Sequence, residues 1–142
     1  DSLTIKSGGS LYPYNESTFA EGGHNIKQDG QTVFKNAVKN MADAAEQVLI
    51  QNDLSGDDIA YLLPHQANKR IIDATARRIN LSEDRVLMNI EKYGNTTAAT
   101  LPLLISDFES KFSKGDKLIF AAFGGGFTWG AVYLTWNYDY KN

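Results

Sequence analysis

The segment IAYLLPHQAN, residues 59–68, decides how this chain is read. Ile59 to Leu63 is a short apolar run, and Pro64 stops it because proline has no N–H to continue a ladder. Such a run fits a buried strand. His65, Gln66, Ala67 and Asn68 follow at the strand's C-terminal end. Residues 68–79 then read as a helix, with Ile71, Ile72, Thr75, Ala76 and Ile79 on one face. A buried strand that runs through polar residues into an amphipathic helix is the repeating unit of an α/β fold.

Downstream, Ser82 with Asp84 and Arg85 predicts a short capped turn. Val86 to Ile90 reads as a second short strand, followed directly by Tyr93-Gly94-Asn95-Thr96-Thr97. Residues 97–112 form a helical pattern with Leu101, Leu104, Ile105, Phe108 and Phe112 inward, and Pro102 is tolerated in its first turn. A turn at 113–116 leads to a strongly apolar strand from Lys117 to Phe123. Gly124-Gly125-Gly126 interrupts it, Thr128 to Trp136 is another strand, and a tyrosine-rich polar tail fills 137–142.

Upstream, residues 31–51 carry Val33, Phe34, Ala37, Val38, Met41, Ala45, Val48 and Leu49 at helical spacing. In residues 1–30, SLTIKS predicts a strand and the turn-rich remainder a long loop, a kind of segment that is usually functional or poorly ordered. The expected order is β-α-β-α-β-α-β-β. It gives an α/β layered fold with a mixed sheet, a closing hairpin and no second domain.

The chain has 142 residues, a normal size for one domain, with 42% hydrophobic and 22% charged residues. A net charge of −3 argues against a general nucleic-acid binder. The absence of cysteine excludes a disulfide, a Cys-ligated metal and a thiolate nucleophile within this chain, and it agrees with a reducing compartment. No apolar run is long enough to cross a bilayer. The first residues lack the basic and apolar regions of a signal peptide and an initiator Met, so the chain is expected to begin inside a longer polypeptide.

Three polar or backbone-donor features, His65, Asn95 and the glycines 124–126, are expected at the C-terminal ends of strands, where the ligand crevice of an open α/β sheet lies. Each also has a plainer use. His65 can be a structural hydrogen-bonder, Asn95 a turn residue after Gly94, and the glycines a bulge or tight bend. Gly124, Gly126 and Gly130 miss the dinucleotide-binding spacing, and there is no nucleophile elbow or P-loop. Neither His24 nor His65 has a partner at metal-ligand spacing, so no metal is expected.

PHQANKRI at 64–71, YGNTTAATLP at 93–102 and FGGGFTWGA at 123–131 resemble, in order and spacing, the C-terminal signatures of the β-ketoacyl-acyl carrier protein synthase III family. DGQTVFKNAV at 29–38 also resembles that family, and the likeness runs from about residue 29 to Trp136. HQAN together with GGGFTWG points to these synthases rather than to thiolases or elongating synthases. The resemblance implies a thiolase-like fold of two similar α/β halves. Residues 1–142 would be the C-terminal half, with a loop-rich lead-in over 1–28, a core over 29–136 and a tail over 137–142. The N-terminal half, which carries the family's nucleophilic Cys, would be absent, leaving an exposed apolar surface that favours association.

Enzymes of this family condense an acyl-CoA, usually acetyl-CoA, with malonyl-acyl carrier protein, lose CO2 and start fatty-acid synthesis in the cytoplasm of bacteria or in plastids. The resemblance implies that His65 and Asn95 donate to the thioester oxyanion, that the Gly125 backbone N–H serves a second oxyanion hole, and that Phe123 lies near the reacting carbon. It places Gly30, Phe34, Ala67 and Asn68 along the pantetheine tunnel, and Lys35, Arg70, Arg77 and Arg78 at the carrier-protein docking face. Plainer uses stand beside these: Gly30 as a turn, Phe34 and Phe123 as core, Ala67 as filler, Asn68 as an N-cap and the basic residues as a solvated helix face. No cofactor is implied beyond CoA and phosphopantetheine as substrates. The partners implied are the N-terminal half, a second copy of the full-length protein and the carrier protein, with no nucleic acid and no membrane. Two alternatives remain: a non-catalytic domain that binds carrier protein or CoA, and a related synthase with another acyl primer.

Overall fold

The computed structural model describes residues 2–140. The core is a three-stranded mixed sheet in the order β3-β4-β5, with β3 at Tyr61–Pro64, β4 at Lys117–Gly124 and β5 at Thr128–Thr135. β3 and β4 are parallel, with Leu62 opposite Ile119, and β4 and β5 are antiparallel, with Phe120 opposite Val132. Successive residues of a strand face opposite sides. Leu62, Ile119, Ala121 and Phe123 therefore enter one apolar cluster, while Leu63 and Leu118 enter another. The first lies under helices α2 (Gly30–Gln51) and α3 (Lys69–Arg78), and the second is closed by α5 (Thr100–Phe108) with Phe112 and Trp136. That three-layer arrangement explains why β3 and β4 read as nearly continuous apolar runs.

α2 starts where the Asp29 carboxylate accepts the Thr32 N–H at 3.1 Å, an N-cap that satisfies one orphan donor. Its buried face carries Ala37, Met41, Ala42, Ala44, Ala45 and Leu49, and these alanines leave little side chain between it and its neighbours. α3 packs against it, and Arg78 on α3 is paired with Asp43 at 3.0 Å and Glu46 at 2.7 Å on α2.

The lead-in differs from its expectation. β1 (Leu3–Ile5) does form, but it pairs antiparallel with β2 (Ile26–Gln28) in a separate two-stranded ribbon rather than joining the main sheet. Between them lies a short helix, α1 (Glu16–Ala20). A reciprocal cap starts that helix: the Asn15 side chain accepts the Thr18 N–H at 2.9 Å, and the Thr18 hydroxyl accepts the Asn15 N–H at 3.0 Å. Leu11, Phe19 and Ile26 in the lead-in and Trp129 and Val132 on β5 are exposed apolar side chains.

The strand expected at Val86–Ile90 is also corrected. Val86 makes one parallel bridge to Leu62, the Leu87 N–H reaches the Leu62 carbonyl at 3.0 Å, and no ladder follows. Ile90–Tyr93 is instead a single helical turn, α4. The reason is that β3 ends at Pro64, so it offers no further backbone partner. The Gln66 side chain takes over, accepting the Asn89 N–H at 3.0 Å. The helix expected at 97–112 is present as α5 between 3₁₀ turns at Thr97–Ala99 and Glu109–Lys111. Of the polar tail, residues 141–142 lie outside the described residues.

Candidate active site

His65 leaves the end of β3 with its backbone fixed, since its N–H donates to the Ala121 carbonyl on β4 at 2.7 Å. Its ring is half-buried. Burial disfavours the charged imidazolium and pushes its pKa below the usual histidine value, so the ring is held neutral near pH 7. Asn68 caps α3, its side-chain oxygen accepting the Arg70 N–H at 2.9 Å.

Asn95 does not follow a strand, as expected, but the turn α4. Gly94 ends that turn at φ +67° and ψ −156°, a region that only glycine occupies readily. Asn95 is exposed, and its side-chain oxygen accepts the Thr97 N–H at 3.0 Å. That bond uses the amide's acceptor and leaves its N–H groups as donors. Thr97 itself sits at φ +52°, an uncommon backbone conformation for a β-branched residue.

At the end of β4 the chain turns tightly through Gly124–Gly126 into β5, and the Thr128 hydroxyl donates to the Gly125 carbonyl at 3.1 Å. The residue that must be glycine for the turn is Gly126: at φ +143°, an added Cβ would lie 2.8 Å from Thr128 Cγ2 and 3.0 Å from Thr128 N. At Gly125 a Cβ would meet only Leu3, at 3.7 Å, so no clash requires glycine there.

These loops open on one cleft of about 1310 Å³. His65, Asn95, Gly125 and Phe123 line it, and so do Gly30, Phe34, Ala67 and Asn68. Phe123 is buried, with its ring 5.0 Å from that of Phe127. Lys35 and Arg70 complete the wall, with the Arg70 guanidinium 4.6 Å from the Phe34 ring centre, a cation–π contact. Arg77 and Arg78 do not line the cleft: Arg77 is exposed on α3, and the Asp43 and Glu46 carboxylates neutralise Arg78 locally. Among the described residues no group of His, Asp or Glu side chains is placed to hold a metal ion.

Several contacts that hold the site are not evident from the sequence pattern. The Gln66 backbone N–H donates to the Thr100 hydroxyl at 2.9 Å, tying the His65 loop to the end of the Asn95 loop. Asp107 on α5 accepts from Asn89 Nδ2 at 2.9 Å, from the Tyr93 hydroxyl at 3.1 Å and from Lys92 at 3.3 Å. Its hydrogen bond from Asn89 foremost, with Lys92 and Tyr93, holds its carboxyl below the usual carboxylate range. The one sequence signal is Gln66 itself, an amide two residues past the end of a buried strand, where any buried polar group needs partners.

The family model for the 3-oxoacyl-[acyl-carrier-protein] synthase III C terminal matches residues 49–136, more than half the chain. The chain belongs to this synthase III C-terminal family. It is 52% identical over 139 residues to a β-ketoacyl-[acyl-carrier-protein] synthase III of Azobacteroides pseudotrichonymphae, and 54% identical over 139 residues to one from Bacteroides thetaiotaomicron. Each match covers 98% of this chain and 42% of the relative. The chain thus spans less than half the length of these synthases. The likeness includes the lead-in, which the signature blocks do not cover. The crystal structure of 3-oxoacyl-(acyl carrier protein) synthase III from Pseudomonas aeruginosa superposes with a TM-score of 0.83 at 31% identity, covering 99% of this chain and 41% of that one. The thiolase-like α/β fold is therefore shared with synthase III enzymes. Among the described residues no helix is long and apolar enough to cross a membrane.

Proposed function

We propose that this chain is the C-terminal catalytic part of a β-ketoacyl-acyl carrier protein synthase III, which condenses an acyl-CoA, acetyl-CoA in the simplest case, with malonyl-acyl carrier protein and starts fatty-acid synthesis in the cytoplasm. The observation that carries this reading is the placement of His65, Asn95 and Gly125 on separate loops around one cleft. The two side-chain donors are linked through the Gln66 N–H and the Thr100 hydroxyl.

The chemistry needs both donors. When malonyl thioester loses CO2, the bond between its carboxylate and its α-carbon breaks. The electron pair passes into the thioester, placing negative charge on its oxygen. A neutral imidazole N–H from His65 and an amide N–H from Asn95 stabilise that oxyanion. The enolate carbon then attacks an acyl thioester on the enzyme, and the Gly125 N–H stabilises the tetrahedral oxyanion. Collapse of the intermediate releases the enzyme thiolate. That thiol comes from the N-terminal half, because this chain contains no cysteine. Alone, the chain therefore binds rather than condenses.

Gly30, Phe34, Ala67 and Asn68 line the pantetheine path, with Phe123 beside the reacting carbon. Lys35 and Arg70 at the cleft, with Arg77 further along α3, attract the acidic carrier protein. No cofactor is required beyond the thioester carriers that are the substrates. The full-length protein pairs as a homodimer.

Mixing the chain with its N-terminal half should restore decarboxylative condensation. Asn95→Ala in that mixture should lower CO2 release from malonyl-acyl carrier protein by about 10²–10³-fold, the usual cost of one oxyanion donor, with the fold unchanged by circular dichroism. Full activity in the variant would refute the role given to Asn95.

A further inference from the structure

Asn95 sits on an arm, residues 89–100, that no strand pairing holds. Both ends of that arm are bound to a single residue. At its start, the Asn89 N–H donates to Gln66 Oε1 at 3.0 Å. At its end, the Thr100 hydroxyl accepts the Gln66 backbone N–H at 2.9 Å. Gln66 Nε2 donates to the Pro64 carbonyl at 2.9 Å and to the Leu87 carbonyl at 3.4 Å, which anchors the amide to the end of β3 and to the chain entering the arm. Gln66 is 1% exposed and is covalently the next residue after His65. On its outer side the arm is held by Asp107, through Asn89, Lys92 and Tyr93.

We propose that Gln66 is a positioning residue for decarboxylation: its side-chain amide and its backbone N–H hold the two ends of the Asn95 arm against the strand end that carries His65, so that this one residue sets where Asn95 lies relative to His65. Asp107 braces the same arm from outside. This inference rests on the function proposed above. Glutamine suits the task because one amide both donates and accepts. A glutamate carboxylate keeps the acceptor for Asn89 but loses both donors, and a methionine of similar length keeps neither. A displacement of about 1 Å in a reacting geometry costs about 10²-fold in rate. The arm's position therefore matters more to the chemistry than to the stability of the sheet.

The test uses the full-length synthase with four variants: Gln66→Met, Gln66→Glu, Asn95→Ala and the double variant Gln66→Met/Asn95→Ala. Two rates are read, CO2 release from malonyl-acyl carrier protein and acyl transfer from acyl-CoA to the enzyme thiol. Gln66→Met should slow CO2 release by about 10- to 100-fold, Gln66→Glu by less, and acyl transfer should stay near wild type in both. In the double variant, Gln66→Met should add no loss to that of Asn95→Ala, because it acts through Asn95. Wild-type CO2 release in Gln66→Met, or a loss that multiplies with that of Asn95→Ala, overturns the proposal. Undiminished CO2 release in Asn95→Ala overturns the proposed function instead, so the two failures are distinct. If Gln66→Met does not fold, Asp107→Ala asks the same question from the surface. It should slow CO2 release without adding to Asn95→Ala, and an unchanged or multiplying rate overturns the inference.

Discussion

Replacing Gly94 with alanine should destabilise the protein although there is room for the new methyl group. A Cβ built at Gly94 has no neighbour within 4 Å, so no clash contributes. The whole cost is backbone conformation: φ +67° with ψ −156° lies in the region open almost only to glycine, and holding alanine there costs about 1–3 kcal/mol. Gly30 is the matched control. It too has open space at its Cβ, but it is the first residue of α2 and its φ lies outside the glycine region. Gly30→Ala should therefore stabilise by about 0.4–1 kcal/mol, mostly by restricting the unfolded chain. Urea unfolding monitored by tryptophan fluorescence reads both. With a slope of about 2 kcal/mol/M, Gly94→Ala lowers the midpoint by about 0.5–1.5 M, while Gly30→Ala raises it slightly. Gly94→Asn should not rescue the loss, because asparagine tolerates the left-handed helical region but not this ψ. The chain can relieve the strain only by turning the following residue, Asn95, so CO2 release should fall as well. A Gly94→Ala protein as stable as Gly30→Ala, with CO2 release at the wild-type rate, would refute the reasoning.

Two further outcomes follow from charge and burial. Burial lowers the pKa of His65, so below the unfolded value of about 6.5 the unfolded chain binds the extra proton first. The stability tied to His65 is complete above that value and is lost as pH falls through the folded pKa. His65→Gln should flatten the decline in urea midpoint between about pH 8 and about pH 5, and an unchanged slope would contradict the assignment. Arg70→Glu with Arg77→Glu should raise KM for acyl carrier protein by about tenfold at low salt, and by less at high salt. Arg78→Ala should leave that KM alone because Arg78 is already paired with Asp43 and Glu46. Equal effects from the two changes would show that the docking face extends to Arg78.

Periodicity carried most of the fold. α2, α3, α5, β4 and β5 lie close to where the apolar spacing put them. In each of these the inward face, only partly buried on β5, is a local property of the chain, since the side-chain period is set by the helix or strand itself. The same logic failed at Val86–Ile90. The apolar run VLMNI looks like a strand, but a strand needs a neighbour, and β3 stops at Pro64. The lead-in was misread for a different reason: the Asn15–Thr18 cap is a weak local signal inside a turn-rich stretch, and β1 and β2 pair only across the 20 residues between them. At the site, His65, Asn95 and the glycine turn were legible as residue types after apolar runs. That they share one cleft with Gly30 and Phe34 depends on how the layers pack.

Local pattern alone settles the main helices, the strands of the central sheet and the chemical groups available: an imidazole, an amide, a glycine turn and no thiol. Tertiary structure decided how those groups are held. Gln66 reaches Thr100 across 34 positions and Asn89 across 23, and Arg78 reaches Glu46 across 32. Bonds of that span leave no period in the chain, because they depend on which elements come to lie side by side once the apolar faces are buried.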